Sequence, residues 1–175
     1  MRALLAYLAV ESDRPHLRRK LAALLWPEFP ETTALSNLRY ALSNLRKVIG
    51  DRTAQSPYLE INPQTIQFIH NSSCRVDVSV FERYCAVANQ NPLDFQNLEQ
   101  AEELYRGSFL EGFSIPDSST YEEWVLMKRE HLDRLAIQVF QLLASDCELS
   151  GDYQQAIFLV ERQLELDPWR EEAHR

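Results

Sequence analysis

The segment Glu31–Ile49 constrains this chain more than any other. Nineteen residues run between Pro30 and Gly50 with no Gly or Pro among them. At about 100° per residue, Ala34, Leu38, Ala41, Leu42, Leu45 and Ile49 share one apolar stripe. The opposite pole carries Ser36, Tyr40, Ser43 and Lys47; Thr33, Asn37 and Asn44 flank it on one side, Arg39 and Arg46 on the other. Beyond Glu31 this outward face has no acid. A solvated helix ordinarily mixes Glu with Lys for i,i+4 pairing. This one offers hydroxyls, amides and bases, groups that donate to phosphates and base edges. The pattern predicts a helix over 31–49, with Gly50 as the residue that ends it.

Helical spacing also organises what comes before. Leu4, Leu5 and Leu8 predict a helix from Arg2 to Val10, broken by Asp13-Arg14-Pro15. The apolar start resembles a secretory leader only faintly, because Glu11-Ser12-Asp13-Arg14 follows with no small-x-small cleavage site. A second helix is expected from His16 to Trp26, with Leu17, Leu21, Leu24 and Leu25 inward and Arg18, Arg19 and Lys20 outward. After Gly50, Tyr58–Ile61 and Ile66–Ile69 alternate in polarity around Asn62-Pro63-Gln64-Thr65, which predicts a β-hairpin. Three helices and then a hairpin is the order of a winged helix-turn-helix, with the hairpin as its wing.

His70–Ser73 reads as a linker, and the remainder reads as helix. Asp77 can open a helix with Val80, Phe81, Tyr84, Val87 and Ala88 inward, closed by Asn89–Pro92. A second ends at Arg106-Gly107, and an irregular connector covers 108–118. A long helix is predicted over 120–149 with Trp124, Met127, Leu132, Leu135, Val139, Leu142 and Leu143 inward. Another runs from Tyr153 to Leu166, and a last one begins at Trp169. Leu143, Ala156 and Pro168 fall at the Leu, Ala and Pro positions of a tetratricopeptide unit, although Ala144 and Cys147 stand where that repeat favours Gly and Tyr. The fold expected is therefore mostly α: a winged helix-turn-helix with a β-hairpin wing (1–72), then an all-α tetratricopeptide-like helical domain (76–175).

Charge divides the chain in the same place. Residues 1–75 carry ten Lys/Arg against six Asp/Glu, a balance of +4; the rest carry eight against twenty, a balance of −12. A basic front and an acidic back suggest two modules with different partners, although solvated helix faces alone could produce the same split. No apolar run approaches the ~20 residues of a membrane helix. Three scattered cysteines, Cys74, Cys85 and Cys147, suit reduced thiols in a cytoplasm. Four glycines leave no room for a Gly-rich phosphate loop, and there is no dinucleotide fingerprint or nucleophile elbow. Glu122 and Glu123 diverge on a helix and cannot act as an acid/base pair. His70 and Cys74 lack a second pair of ligands, so no zinc site is expected. The chain reads as a non-enzyme without a cofactor.

Together these motifs resemble the antibiotic-regulatory-type bacterial transcriptional activators, which pair a winged-helix DNA-binding domain with a helical bacterial transcriptional activator domain. The resemblance is carried by Arg2–Ala9, Leu25-Trp26-Pro27 and Leu38–Lys47. It continues through Val76-Asp77-Val78 with Phe81, Leu104–Phe113, Glu123-Trp124 and Asp167–Arg175, in the family's order over nearly the whole chain. Members carry an antiparallel sheet before the first helix and further helices after the last motif. The resemblance therefore implies a piece of a longer protein, with apolar surface on the first helix left exposed.

The DNA-facing set expected from the helix-turn-helix geometry is Thr33, Ser36, Asn37 and Tyr40 toward the groove and Ser43 and Lys47 toward the backbone, with Arg39 and Asn44 beside them. Arg18 and Arg19, with Lys20, would hold phosphates through helix two, or form a plain basic surface. Gln64 and Thr65 at the hairpin tip would enter the adjacent minor groove. Arg46 lies nearer the core edge and is expected to pair with an acid of its own domain. Trp26, Trp124 and Trp169 are expected as packing anchors. The expected function is a cytoplasmic, DNA-binding transcriptional activator with no membrane association. Its partners would be double-stranded DNA, RNA polymerase and a second copy of the chain. The alternative is a tetratricopeptide-like protein-interaction scaffold that does not bind DNA.

Overall fold

A computed structural model describes residues 1–70, 74–90 and 94–169. Contacts divide the chain into two units: residues 1–76 with 113–124, and residues 77–112 with 125–175. Among the described residues there are seven helices and one three-stranded sheet.

In the first unit, α1 (Arg2–Val10), α2 (Arg18–Leu25) and α3 (Glu31–Val48) precede the strands β2 (Leu59–Ile61) and β3 (Thr65–Phe68). The α3 stripe is buried as its periodicity requires: Ala34, Leu38, Ala41, Leu42 and Leu45. Leu4 and Leu8 of α1, Leu21 and Leu25 of α2, and Leu59, Ile66 and Phe68 of the sheet are buried in the same unit, where α1 packs on α2, α3 and β3, and α2 on α3. Each leucine so buried contributes about 1.5–3 kcal/mol. Gly50, at φ +69°, takes the left-handed conformation that ends α3. The Asp51 N–H then donates to Arg46 O (2.9 Å) and the Gly50 N–H to Lys47 O (3.4 Å), the paired bonds of a Schellman cap.

The start of α2 departs from expectation. His16 and Leu17 are not helical; they form a strand, β1, antiparallel to β3, with His16 opposite Ile66 and Leu17 opposite Thr65. The sheet order is β1-β3-β2. Pairing with β3 holds the two residues extended, and the buried His16 ring places Nε2 2.5 Å from Glu11 O. Helical spacing at Leu17 therefore misled, and Leu17 is 45% exposed.

The first helix is covered better than the resemblance implies. Leu4 and Leu8 are fully buried. The Tyr7 ring lies 5.0 Å from that of Trp124 and 5.2 Å from that of His16. Trp124 Nε1–H donates to Glu11 Oε1 (3.0 Å). Residues 113–124, read as connector and helix start, thus close this unit. Buried Ser118 donates through its hydroxyl to Leu24 O, and the Glu122 carboxylate accepts the Ile115 N–H.

In the second unit, α4 (Asp77–Gln90) and α5 (Phe95–Leu104) pair, and most of α6 (Ser119–Ser150) and all of α7 (Tyr153–Leu166) complete it. The core gathers Phe81, Cys85, Leu98, Ala101, Tyr105, Leu132, Ala136, Phe140 and Leu159. The Tyr105 hydroxyl donates to Asp133 Oδ1 (2.5 Å), and the Arg129 guanidinium donates to Phe109 O (3.0 Å). These bonds fasten the stretch 105–110 to α6. The Arg162 guanidinium stacks 4.3 Å from the Phe140 ring centroid and donates to Glu102 and Tyr105 O. At the end of α6, Asp152 donates its N–H to Cys147 O (2.8 Å) while its carboxylate caps α7 through the Gln155 N–H (3.2 Å).

Three expected packing residues face outward instead. Met127 is 71% exposed and Val87 38%, because the buried stripes of α6 and α4 run through Val125–Leu132–Ala136 and Phe81–Cys85–Ala88. Trp169 is 90% exposed, so it anchors nothing among the described residues. The final helix expected from Trp169, the linker residues 71–73 and the helix stop at 91–92 lie outside the described residues.

Candidate nucleic-acid interface

The interface is built on the outward face of α3. Burying the leucine stripe turns Thr33, Ser36, Arg39, Tyr40, Ser43 and Lys47 to solvent, with Asn37 and Asn44 half-buried at the margin. Tyr40 is 72% exposed, an aromatic ring held out on a rigid helix. Among the described residues, Arg39 and Lys47 make no ion pair and no side-chain hydrogen bond, so their charges are uncommitted.

Arg46, Arg19 and Arg18 are tied within the fold, whereas Lys20 is exposed and makes no ion pair or side-chain hydrogen bond among the described residues. Arg46 Nε–H donates to Asp51 Oδ2 (2.7 Å), as its position near the core edge predicts. Asp51 is fully buried, and its Oδ1 also accepts the backbone N–H groups of Tyr58 (2.8 Å) and Leu59 (3.0 Å). One carboxylate therefore joins the C-terminal turn of α3 to the first strand of the hairpin. Arg19 forks onto both oxygens of Glu31, with Nη2 at 3.1 Å from Oε2 and Nε on Oε1. That contact holds the Glu31 carboxyl below the usual carboxylate range and the Arg19 guanidinium above its own. Arg18 Nε–H donates to Asn62 O (3.0 Å), and its backbone N–H donates to Gln64 O (2.9 Å). These bonds pin the hairpin turn beside α2.

The fold gathers the candidates into two sets. Arg18, Arg19, Arg39 and Gln64 line one cleft of about 480 Å³ with Leu17, Leu35, Leu38 and Pro63. Ser36, Tyr40, Ser43 and Lys47 form the pole of α3, and Thr33 sits in its first turn. Thr65 is half-buried within β3, in register with Leu17, so it sits beside the turn and not at its tip. The candidate set also lacks Arg52, whose Nη2 lies 3.4 Å from Ser43 Oγ. It follows the helix stop, and no periodicity places it on this face. Among the described residues no group of three His, Cys, Asp or Glu side chains is arranged to hold a metal, and no helix is long and apolar enough to cross a membrane.

The second unit carries the comparison with known families. The model of the bacterial transcriptional activator domain matches residues 76–175, and no curated protein matches the chain. That match spans more than half of the 175 residues, and the chain belongs to the bacterial transcriptional activator domain family.

Proposed function

We propose that this protein is a DNA-binding transcriptional regulator, an activator, that acts on promoter DNA. Residues 1–72 act as a winged helix. Its α3 enters the major groove, with Thr33, Ser36, Asn37 and Tyr40 toward bases and Ser43 and Lys47 toward the backbone; the β2–β3 hairpin is the wing whose turn brings Gln64 toward the flanking minor groove, with Thr65 behind it in β3. Arg39 and Asn44 complete the contact, and Arg18 sits beside it. The acidic helical domain (76–175) serves dimerisation, or coupling to RNA polymerase or an effector. The observation that carries this reading is the division of the bases. Arg46 is spent on Asp51 inside the fold, while Arg39 and Lys47 stand uncommitted on a helix face whose acid is confined to Glu31.

Titration into a labelled pool of random duplex DNA at several salt concentrations tests it. Binding should fall steeply with log salt, and Arg39→Ala and Lys47→Ala should each flatten the slope by about one phosphate contact. Binding unchanged by both substitutions would remove α3 from the interface.

A second reading is favoured by one further observation. The outer side of α7 and the end of α6 leave Leu149, Tyr153 and Ile157 59–89% exposed on an acidic domain. Such a surface suits a tetratricopeptide-like scaffold that binds proteins and not DNA. A partner retained by residues 76–175, with no duplex retained by the full chain, would favour it.

A further inference from the structure

We infer that Glu31 acts as a built-in phosphate mimic that limits how tightly this face grips DNA, by occupying the Arg19 fork. This rests on the DNA-binding reading above and assigns a role within the same site. Glu31 is the acid of the first turn of α3, where the N-cap residue, Pro30, offers no side-chain cap. The free N–H groups of that turn and the helix dipole attract an anion. The Glu31 carboxylate already supplies one there, and it takes both hydrogen bonds of the Arg19 fork. A carboxylate and a phosphate present the same bidentate face to a guanidinium, so the two compete for Arg19.

Position makes that competition matter. Arg19 borders two clefts: one shared with Arg18, Arg39 and Gln64, the other with Trp26, Phe29 and Glu31. It therefore stands beside the uncommitted Arg39, where a backbone phosphate on this face would lie. The Arg19 and Glu31 side chains are 77% and 51% exposed, and ion pairs so exposed are weak and exchangeable. A phosphate that displaces Glu31 leaves a carboxylate facing the polyanion. Glu31 thus subtracts one cationic contact from binding that ignores sequence and leaves the groove-facing side chains of α3 untouched.

The test compares the unsubstituted 175-residue chain, Glu31→Gln and Glu31→Gln/Arg19→Ala on a labelled random-sequence duplex pool across a salt series. Urea unfolding midpoints confirm that each variant is folded. Glu31→Gln should bind about three- to tenfold tighter at low salt, with a log–log salt slope steeper by about one unit. The double variant should fall back to the wild-type slope. Wild-type or weaker binding by Glu31→Gln, with the slope unchanged, overturns the role of Glu31 while leaving DNA binding intact. A gain that survives loss of Arg19 overturns the competition for its fork. Absence of binding by all three proteins refutes the DNA-binding reading itself, and this inference with it.

Discussion

Removing the Asp51 carboxylate should unfasten α3 from the hairpin. Asp51 is 1% exposed and accepts three hydrogen bonds: Arg46 Nε–H at 2.7 Å and the N–H groups of Tyr58 and Leu59 at 2.8 and 3.0 Å. Asp51→Ala strands two backbone donors, and each buried unsatisfied donor costs about 1–3 kcal/mol. Arg46 also loses its partner, but at 32% side-chain exposure it can turn to water, so that part is small. The sum is about 2–6 kcal/mol, a range that includes the cost of breaking a buried ion pair. Asp51→Asn keeps the oxygen that serves the two backbone donors. It places an NH₂ opposite Arg46 Nε–H and should cost about 1.5–3 kcal/mol, the worth of one charge-assisted bond. Urea unfolding followed by tryptophan fluorescence suits the question. Trp26 and Trp124 belong to this unit, and the exposed Trp169 responds weakly. With a denaturant slope of about 1.5 kcal/mol per molar, Asp51→Ala should lower the midpoint by about 1.3–4 M and Asp51→Asn by about 1–2 M. A midpoint within about 0.3 M of wild type for Asp51→Ala would refute the argument, since a carboxylate that joins two elements cannot be removed at that small a cost.

Other substitutions separate packing, ionisation and binding. Leu38→Ala, at a fully buried site of the α3 stripe, should destabilise by about 2–5 kcal/mol in the same assay. Arg46→Ala should lower stability yet leave the salt slope of DNA binding at the wild-type value, because its guanidinium is held by Asp51. The Tyr121 hydroxyl is buried and has no hydrogen-bond partner among the described residues, so Tyr121→Phe should be neutral or stabilising by up to about 1 kcal/mol in thermal melts. Burial pushes the Cys85 thiol up to about 12 from an ordinary value of 9. The native protein should therefore leave Cys85 unmodified by a thiol reagent at neutral pH and release it in denaturant. Between those two pH values the unfolded chain holds fewer protons, so this contribution to stability is complete below pH 9 and is lost as pH rises toward 12.

Local signals made much of the fold legible. The stripe from Ala34 to Ile49, the stop at Gly50, the Asn-Pro turn and the long run of α6 are set by periodicity, capping and turn chemistry within a few residues, and these survive in any tertiary setting. The outward face of α3 was legible for the same reason: burying one stripe leaves the opposite pole to solvent. The pairing of Arg46 with an acid followed from its angle on that helix.

Tertiary structure decided the rest, because partners distant in sequence leave no local trace. His16 and Leu17 have helical spacing, yet they pair with β3 about fifty residues away. Residues 113–124 carry no signal that they close the first unit, because Ser118 and Trp124 find Leu24 and Glu11 only when the chain returns. The sequence by itself determined which face of α3 is outward and that it is basic and polar. Which of its bases are free was decided by the fold: Asp51 is buried beside Arg46, and Glu31 is brought within reach of Arg19.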